Sequence, residues 1–237
     1  SVIPQLVPEN QLIKTNGWMQ LMNAGSFFLG PVIGASLYAA FPMSVVLMSD
    51  VAGAILASTA LAIVKIPKLK RQQAQKETMM RQFKAGLNVF QEDKKLLYLV
   101  TGEALCMFFY APLSSFYPLM TSDFFNLSAM YGSAVELAFA VGMIVSSLLF
   151  SSVWKVKKKI QTSFAGLLGM GMTAAVCGIL PPVYTGWFIF AGMCVFLGAS
   201  GNVHSIPLNA YIQETVAPEK MGRAFSVLTL ISSITMP

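Results

Sequence analysis

Charge is scarce in this chain. Only 11% of its 237 residues are charged, with ten acidic side chains and one histidine, while 55% are hydrophobic. Soluble domains carry roughly twice that share of charge, so the composition excludes an ordinary water-soluble fold, and the mean hydropathy is +0.65. Cysteine is equally thin. Cys106, Cys177 and Cys194 each lie inside an apolar run, which leaves no disulfide framework and makes them small membrane hydrophobes. One histidine and scattered acids provide no H-E-x-x-H pair, no clustered nucleophile and base and no phosphate loop. A membrane-embedded enzyme is therefore disfavoured, and no cofactor or metal is expected. An initiator methionine and a signal peptide are also missing: the sequence starts at Ser1 and ends at Pro237 partway through an apolar run. The expectation is an internal fragment.

What is present is a series of long apolar runs, each of about 21 to 28 residues, enough to cross ~30 Å of hydrocarbon with some tilt. The spacing predicts spans over about 17–39, 43–64, 96–120, 129–153, 160–180 and 184–211, with a seventh beginning near Ala224. All sixteen Lys and Arg fall in four stretches: Lys14, the 65–95 connector, the 155–159 loop and the 220–223 loop. The turns near 40–44, 121–128 and 181–186 carry none. Basic loops stay on the cytoplasmic side, and this assignment makes every span alternate correctly. The net charge of +6 is thus a topology signal, with no nucleic-acid partner implied.

The connector divides the chain into 1–64, 65–95 and 96–237. Its basic residues outnumber Glu77, Glu92 and Asp93, and Met79 or Met80, Phe83, Leu87 and Phe90 recur at helical spacing. That pattern reads as an amphipathic helix along the inner membrane surface; a solvated linker is the alternative. An internal repeat supports the division. Ile3-Pro4-Gln5-Leu6-Val7-Pro8-Glu9, with Lys14 after it, aligns with 212–219 and Arg223 at an offset of about 210 residues, as two parallel repeats of a carrier do. By that count the first span is the fifth of twelve helices, and the chain runs into the eleventh.

That first span holds Gly17, Gly25, Gly30, Pro31 and Gly34. Each interior glycine costs a soluble helix about 1 kcal/mol and proline about 3, whereas in a bilayer small residues let helices approach closely. Gly17, Ser26, Gly30, Pro31, Gly34 and Ala35 occupy the positions of G-x8-G-x3-G-P-x2-G-G, the antiporter motif of the major facilitator superfamily. Other matching segments are Phe83-x-x-Gly86-Leu87, Tyr131-Gly132, Gly198-x-x-Gly201-Asn202 with Pro207, and Pro218-Glu219-x-x-Gly222-Arg223-Ala224-Phe225. The sequence resembles that superfamily over its whole length, and within it the macrolide-efflux and enterobactin-exporter type. After the eighth helix it departs, with Ser151-Ser152-Val153-Trp154 before Lys155 where many relatives place a Gly and an Asp.

The resemblance implies an all-α integral membrane fold in a bacterial inner or plasma membrane, here about six complete spans and part of a seventh. It implies proton-coupled efflux of a small amphipathic compound by alternating access, with the lipid bilayer, protons and the remaining helices of the same protein as partners. A non-transporting scaffold, or a carrier importing a metabolite, is the alternative. The motif from Gly17 to Ala35 is expected to be a gating hinge and seal, with Gly30, Pro31 and Gly34 packed on the eighth helix near Gly142 and Ser146. Loop residues Glu219, Gly222 and Arg223 match the family's cytoplasmic loop. Ionisable groups inside spans are functional candidates by default, and here these are Glu103, Glu136, Asp50 and His204. Each acid can instead be a neutral or hydrogen-bonded carboxyl bridging helices, and His204 can relay protons or simply donate to a backbone carbonyl. Phe108, Phe109 and Tyr110, with Asn202, are candidates for a substrate cavity, though aromatics in such runs also serve as lipid-facing positions.

Overall fold

The computed structural model describes residues 3–63 and 79–235, and every regular element among them is helical. A short helix α1 (Ile3–Leu6) and a turn at Glu9–Gln11 lead into α2 (Leu12–Ala40), followed by α3 (Met43–Ile63) and α4 (Met79–Glu92). Then come α5 (Lys94–Leu119), α6 (Ala129–Ser152), α7 (Lys159–Gly178), α8 (Tyr184–Thr215) and α9 (Pro218–Thr235). Among the described residues five helices have the length and hydropathy to cross a membrane: 9–40, 43–63, 130–152, 159–178 and 184–215. Helix α5, with 26 residues, reaches about 39 Å at 1.5 Å per residue. The first part of the 65–95 connector, residues 65–78, lies outside the described residues.

Proline sets several boundaries. The residue before a proline is pushed out of the helical region, and Phe41, before Pro42, is extended at φ −133° and ψ 151°. Pro218 opens α9, where its missing amide costs nothing. Pro207, by contrast, lies inside α8, which runs four residues past the expected end at Tyr211.

Three helices form the tight part of the bundle. A Cβ added at Gly142 of α6 would run into the backbone of Val195 and Ala199 on α8, and one at Gly198 would run into Phe139 on α6. Helix α7 does the same through Gly166, which abuts the backbone of His204, and Gly169, whose Cβ would sit 2.6 Å from Ser200 Oγ. Small residues are what permit such approach between membrane helices. Two apolar clusters close the ends. One, with Val89, Phe90, Leu96, Leu99, Leu208, Ile212, Met221 and Val227, joins α4, α5, α8 and α9. The other, with Phe125, Val135, Cys177, Trp187, Phe190 and Cys194, joins α6, α7 and α8 at the far end.

Two expectations change here. Helix α4 does exist, but Phe90 and Val89 are buried in the cluster with α9, and Gly86 lies against Val227 and Arg223. Its described apolar face is therefore covered by protein instead of lipid. The side chains of Met79, Met80 and Phe83 lie outside the described set. The second change concerns α2. It meets α6 through Gly17, whose added Cβ would lie 2.9 Å from the Ser151 amide and 3.2 Å from Phe150. At Gly25, Gly30 and Gly34 there is nothing within 4 Å of such a Cβ. Among the described residues, the expected contact of Gly30 and Gly34 with Gly142 and Ser146 is absent, because α8 already occupies that face of α6.

Candidate functional site

Of the four ionisable candidates, the fold brings two together. Glu103 lies about two turns into α5 and His204 two-thirds of the way along α8. His204 Nε2 stands 4.0 Å from Glu103 Oε2, with the two side chains 2% and 15% exposed. Neither of those two facing atoms has a hydrogen-bond partner among the described residues. On its other edge the imidazole is held: Nδ1 lies 2.8 Å from Ser163 Oγ and 3.1 Å from the Ser163 carbonyl on α7. An isolated charge on either group would be costly in this setting. Two bare lone pairs facing each other are also unfavourable. At 4.0 Å the two atoms face each other just beyond hydrogen-bond distance.

The remaining candidates stand apart from this pair. Glu136 is exposed on α6 and Asp50 is exposed on α3. Phe108 is 63% exposed on α5, and the side chains of Phe109 and Tyr110 lie outside the described set. Asn202 is a correction. It is buried, and its amide nitrogen lies 2.8 Å from the Met143 carbonyl, 3.0 Å from Ser146 Oγ and 2.9 Å from Ser147 Oγ. It clasps α6 to α8 instead of facing a cavity, because the glycines beside it draw the two helices into contact. In the gating motif Gly17 is packed, Ser26, Gly30 and Gly34 are exposed, and the side chains of Pro31 and Ala35 are not described. Gly222 and Arg223 are exposed at the start of α9, and the Glu219 side chain is not described. No group of three or more His, Cys, Asp or Glu is placed to hold a metal among the described residues.

The basic stretches gather at one end of the bundle. Lys14, Lys155, Lys157 and Lys159 line one open cleft of about 950 Å³ with Glu9 and Glu214, and Lys95 joins Lys157, Lys158 and Lys159 in a second. Ion pairs and hydrogen bonds tie the helix ends there. Lys159 pairs with Glu214, Lys220 lies 3.0 Å from Glu92, and the Tyr211 hydroxyl donates to Asp93 over 2.6 Å. That hydroxyl holds the Asp93 carboxyl below the ordinary carboxylate range, helped by the amides of Lys95 and Leu96. At the opposite end Tyr131, Tyr184 and Trp187 stack edge to face, as aromatics do at a membrane interface.

Sequence reasoning missed several members of this arrangement. Ser163 gave no signal, being one hydroxyl among many in apolar helices. Asn16 and Gln213 exchange amide hydrogen bonds of 2.7 and 3.3 Å between α2 and α8, and Gln20 donates to Ser205 over 3.0 Å. A usable signal existed for these, since polar amides inside an apolar run need a partner helix.

An all-helical bundle of membrane-length helices, with basic residues at one end and aromatics at the other, has the make-up of a multi-pass membrane protein. The chain belongs to the Major Facilitator Superfamily, which it matches over residues 1–236. It is 35% identical over 238 aligned residues to Macrolide efflux protein A of Streptococcus pyogenes, covering all of this chain and 58% of that protein. It is 34% identical to the Macrolide efflux protein A of Enterococcus faecalis, covering 73% of that protein. The chain thus spans a little over half the length of the streptococcal relatives it matches. No solved structure gives a significant match. This is a bacterial, multi-pass cell-membrane protein.

Proposed function

We propose that the chain forms part of a proton-coupled exporter of small amphipathic compounds, macrolides among them, and that Glu103 and His204 together hold the coupling proton. The observation that carries this reading is the pair of buried atoms facing each other across 4.0 Å between α5 and α8, each without a hydrogen-bond partner among the described residues. Unsatisfied polar atoms in a membrane interior are expensive, and those retained there mark ion pathways. The efflux names of the relatives support the direction and the substrate class. In this reading residues 1–64 and 96–237 belong to two halves that rock about a central site, with 65–95 connecting them. A proton entering from outside neutralises the pair, and its release on the cytoplasmic side resets the carrier.

The test is transport of a radiolabelled macrolide by the full-length carrier in inverted vesicles, with and without an imposed pH gradient. Uptake that needs the gradient in the native carrier and loses that dependence in Glu103→Gln supports the reading. Gradient-independent uptake in the native carrier refutes it.

A further inference from the structure

We propose that Ser163 is a positioning residue that fixes the tautomer of His204 and so makes Nε2 the atom that exchanges a proton with Glu103. This rests on the proton-coupling reading of the Glu103–His204 pair. It concerns α7, which that reading does not use.

The Ser163 carbonyl decides the tautomer. A carbonyl oxygen can only accept, so at 3.1 Å from Nδ1 it attracts the ring only if Nδ1 carries hydrogen. The hydroxyl oxygen at 2.8 Å accepts from the same N–H, which is then shared between two oxygens of one residue. With Nδ1 protonated, the neutral ring has its free lone pair on Nε2. That lone pair points to the place where no hydrogen-bond partner stands among the described residues, opposite Glu103 Oε2. Gly166, one turn along α7 from Ser163, makes this possible: any side chain there would collide with the backbone of His204. Ser163 and Gly166 thus form one face of α7 on which the histidine rests.

The proton step balances within the pair. The Glu103 O–H bond breaks as an N–H bond forms at Nε2, giving a carboxylate beside an imidazolium whose second N–H remains on Ser163. The opposite tautomer would present Nε2–H to Glu103 and leave the ring unable to take its proton. Among the described residues, Cys106 on α5 is a further titratable side chain within electrostatic reach of Glu103. On α7 and α8 the charged groups are the Lys159–Glu214 pair at the cytoplasmic end.

The chain has a single histidine, so ¹⁵N-histidine labelling of the chain in lipid nanodiscs yields one imidazole to assign. At neutral pH the expected spectrum shows a protonated Nδ1 and an unprotonated Nε2. Ser163→Ala keeps the backbone carbonyl and should keep this tautomer, while Gly166→Ala, which pushes α7 off the His204 backbone and takes the Ser163 carbonyl out of reach, should populate the other. The pH midpoint of efflux by the full-length carrier should move by on the order of one unit in Gly166→Ala and stay at the native value in Ser163→Ala. A native ring protonated at Nε2 overturns the proposal. So does a Ser163→Ala variant that switches tautomer, or a folded Gly166→Ala variant with unchanged tautomer and unchanged pH midpoint. If the tautomer follows the Ser163 carbonyl but Glu103→Gln leaves the proton dependence of efflux intact, the carrier role of the pair fails while the positioning of the ring stands.

Discussion

Glycines in two parts of this chain have different surroundings. In α6, α7 and α8, Gly142, Gly166, Gly169 and Gly198 lie where an added Cβ would strike a neighbouring helix, mostly its backbone. In α2, Gly25, Gly30 and Gly34 face nothing within 4 Å among the described residues, although they belong to the glycine-rich segment that most marks the family. Identical residue types at similar spacing thus pack helix on helix in one region and meet no described neighbour in the other. The site follows the first region. His204 is held by Ser163 because α7 comes close enough at Gly166, and Asn202 is sealed between α6 and α8 because Gly142 and Gly198 lie beside it.

Several substitutions would break this contrast. Gly142→Leu or Gly198→Leu forces backbone apart where no flexible side chain can yield, and overpacking costs about 1–3 kcal/mol or more. The expected result is a large drop in thermal stability in detergent, read by static light scattering during a temperature ramp. Asn202→Ala removes the buried clasp between α6 and α8. Side-chain hydrogen bonds between membrane helices average ~0.6 kcal/mol with a maximum near ~1.7, so this loss is expected to be smaller and measurable in the same ramp. Tyr211→Phe takes the hydroxyl from Asp93. A carboxyl held below its ordinary value stabilises above that value and loses the contribution as pH falls through the folded value. Native and variant should therefore differ above about pH 4, by at most ~1 kcal/mol for so exposed a pair, and converge in stronger acid. Gly30→Leu should change stability least, by less than about 0.5 kcal/mol, while slowing transport. Normal transport in that variant would remove the hinge role from the motif.

Much of the fold was readable from the residues. Apolar runs located the spans, α3 lies within a residue of its expected range, and Lys14, Lys95 and the 155–159 loop gather at one end as their charge required. What could not be read was rotation and neighbourhood. Sequence marked Glu103 and His204 separately, because their approach depends on how α5, packed on α7 and α9, turns Glu103 toward α8. It marked Glu136 and Asp50 on the same grounds, and both are exposed where Glu103 is largely buried. Asn202 looked like a cavity residue for the same reason: a buried amide satisfied by a neighbouring helix and one facing a ligand have the same letter. Ser163 was invisible because its significance lies in its carbonyl as much as its hydroxyl.

In the proposed mechanism Glu103 and His204 act as one proton-holding unit. The direct measurement is gradient-driven efflux by the full-length carrier bearing Glu103→Gln, His204→Gln, and both together. Each single change should reduce proton-driven efflux at least about tenfold, equivalent to ~1.4 kcal/mol. The double variant should be no worse than the poorer single one, since a broken unit cannot be broken twice. Losses that multiply in the double variant, or single variants that keep native proton dependence, would contradict it.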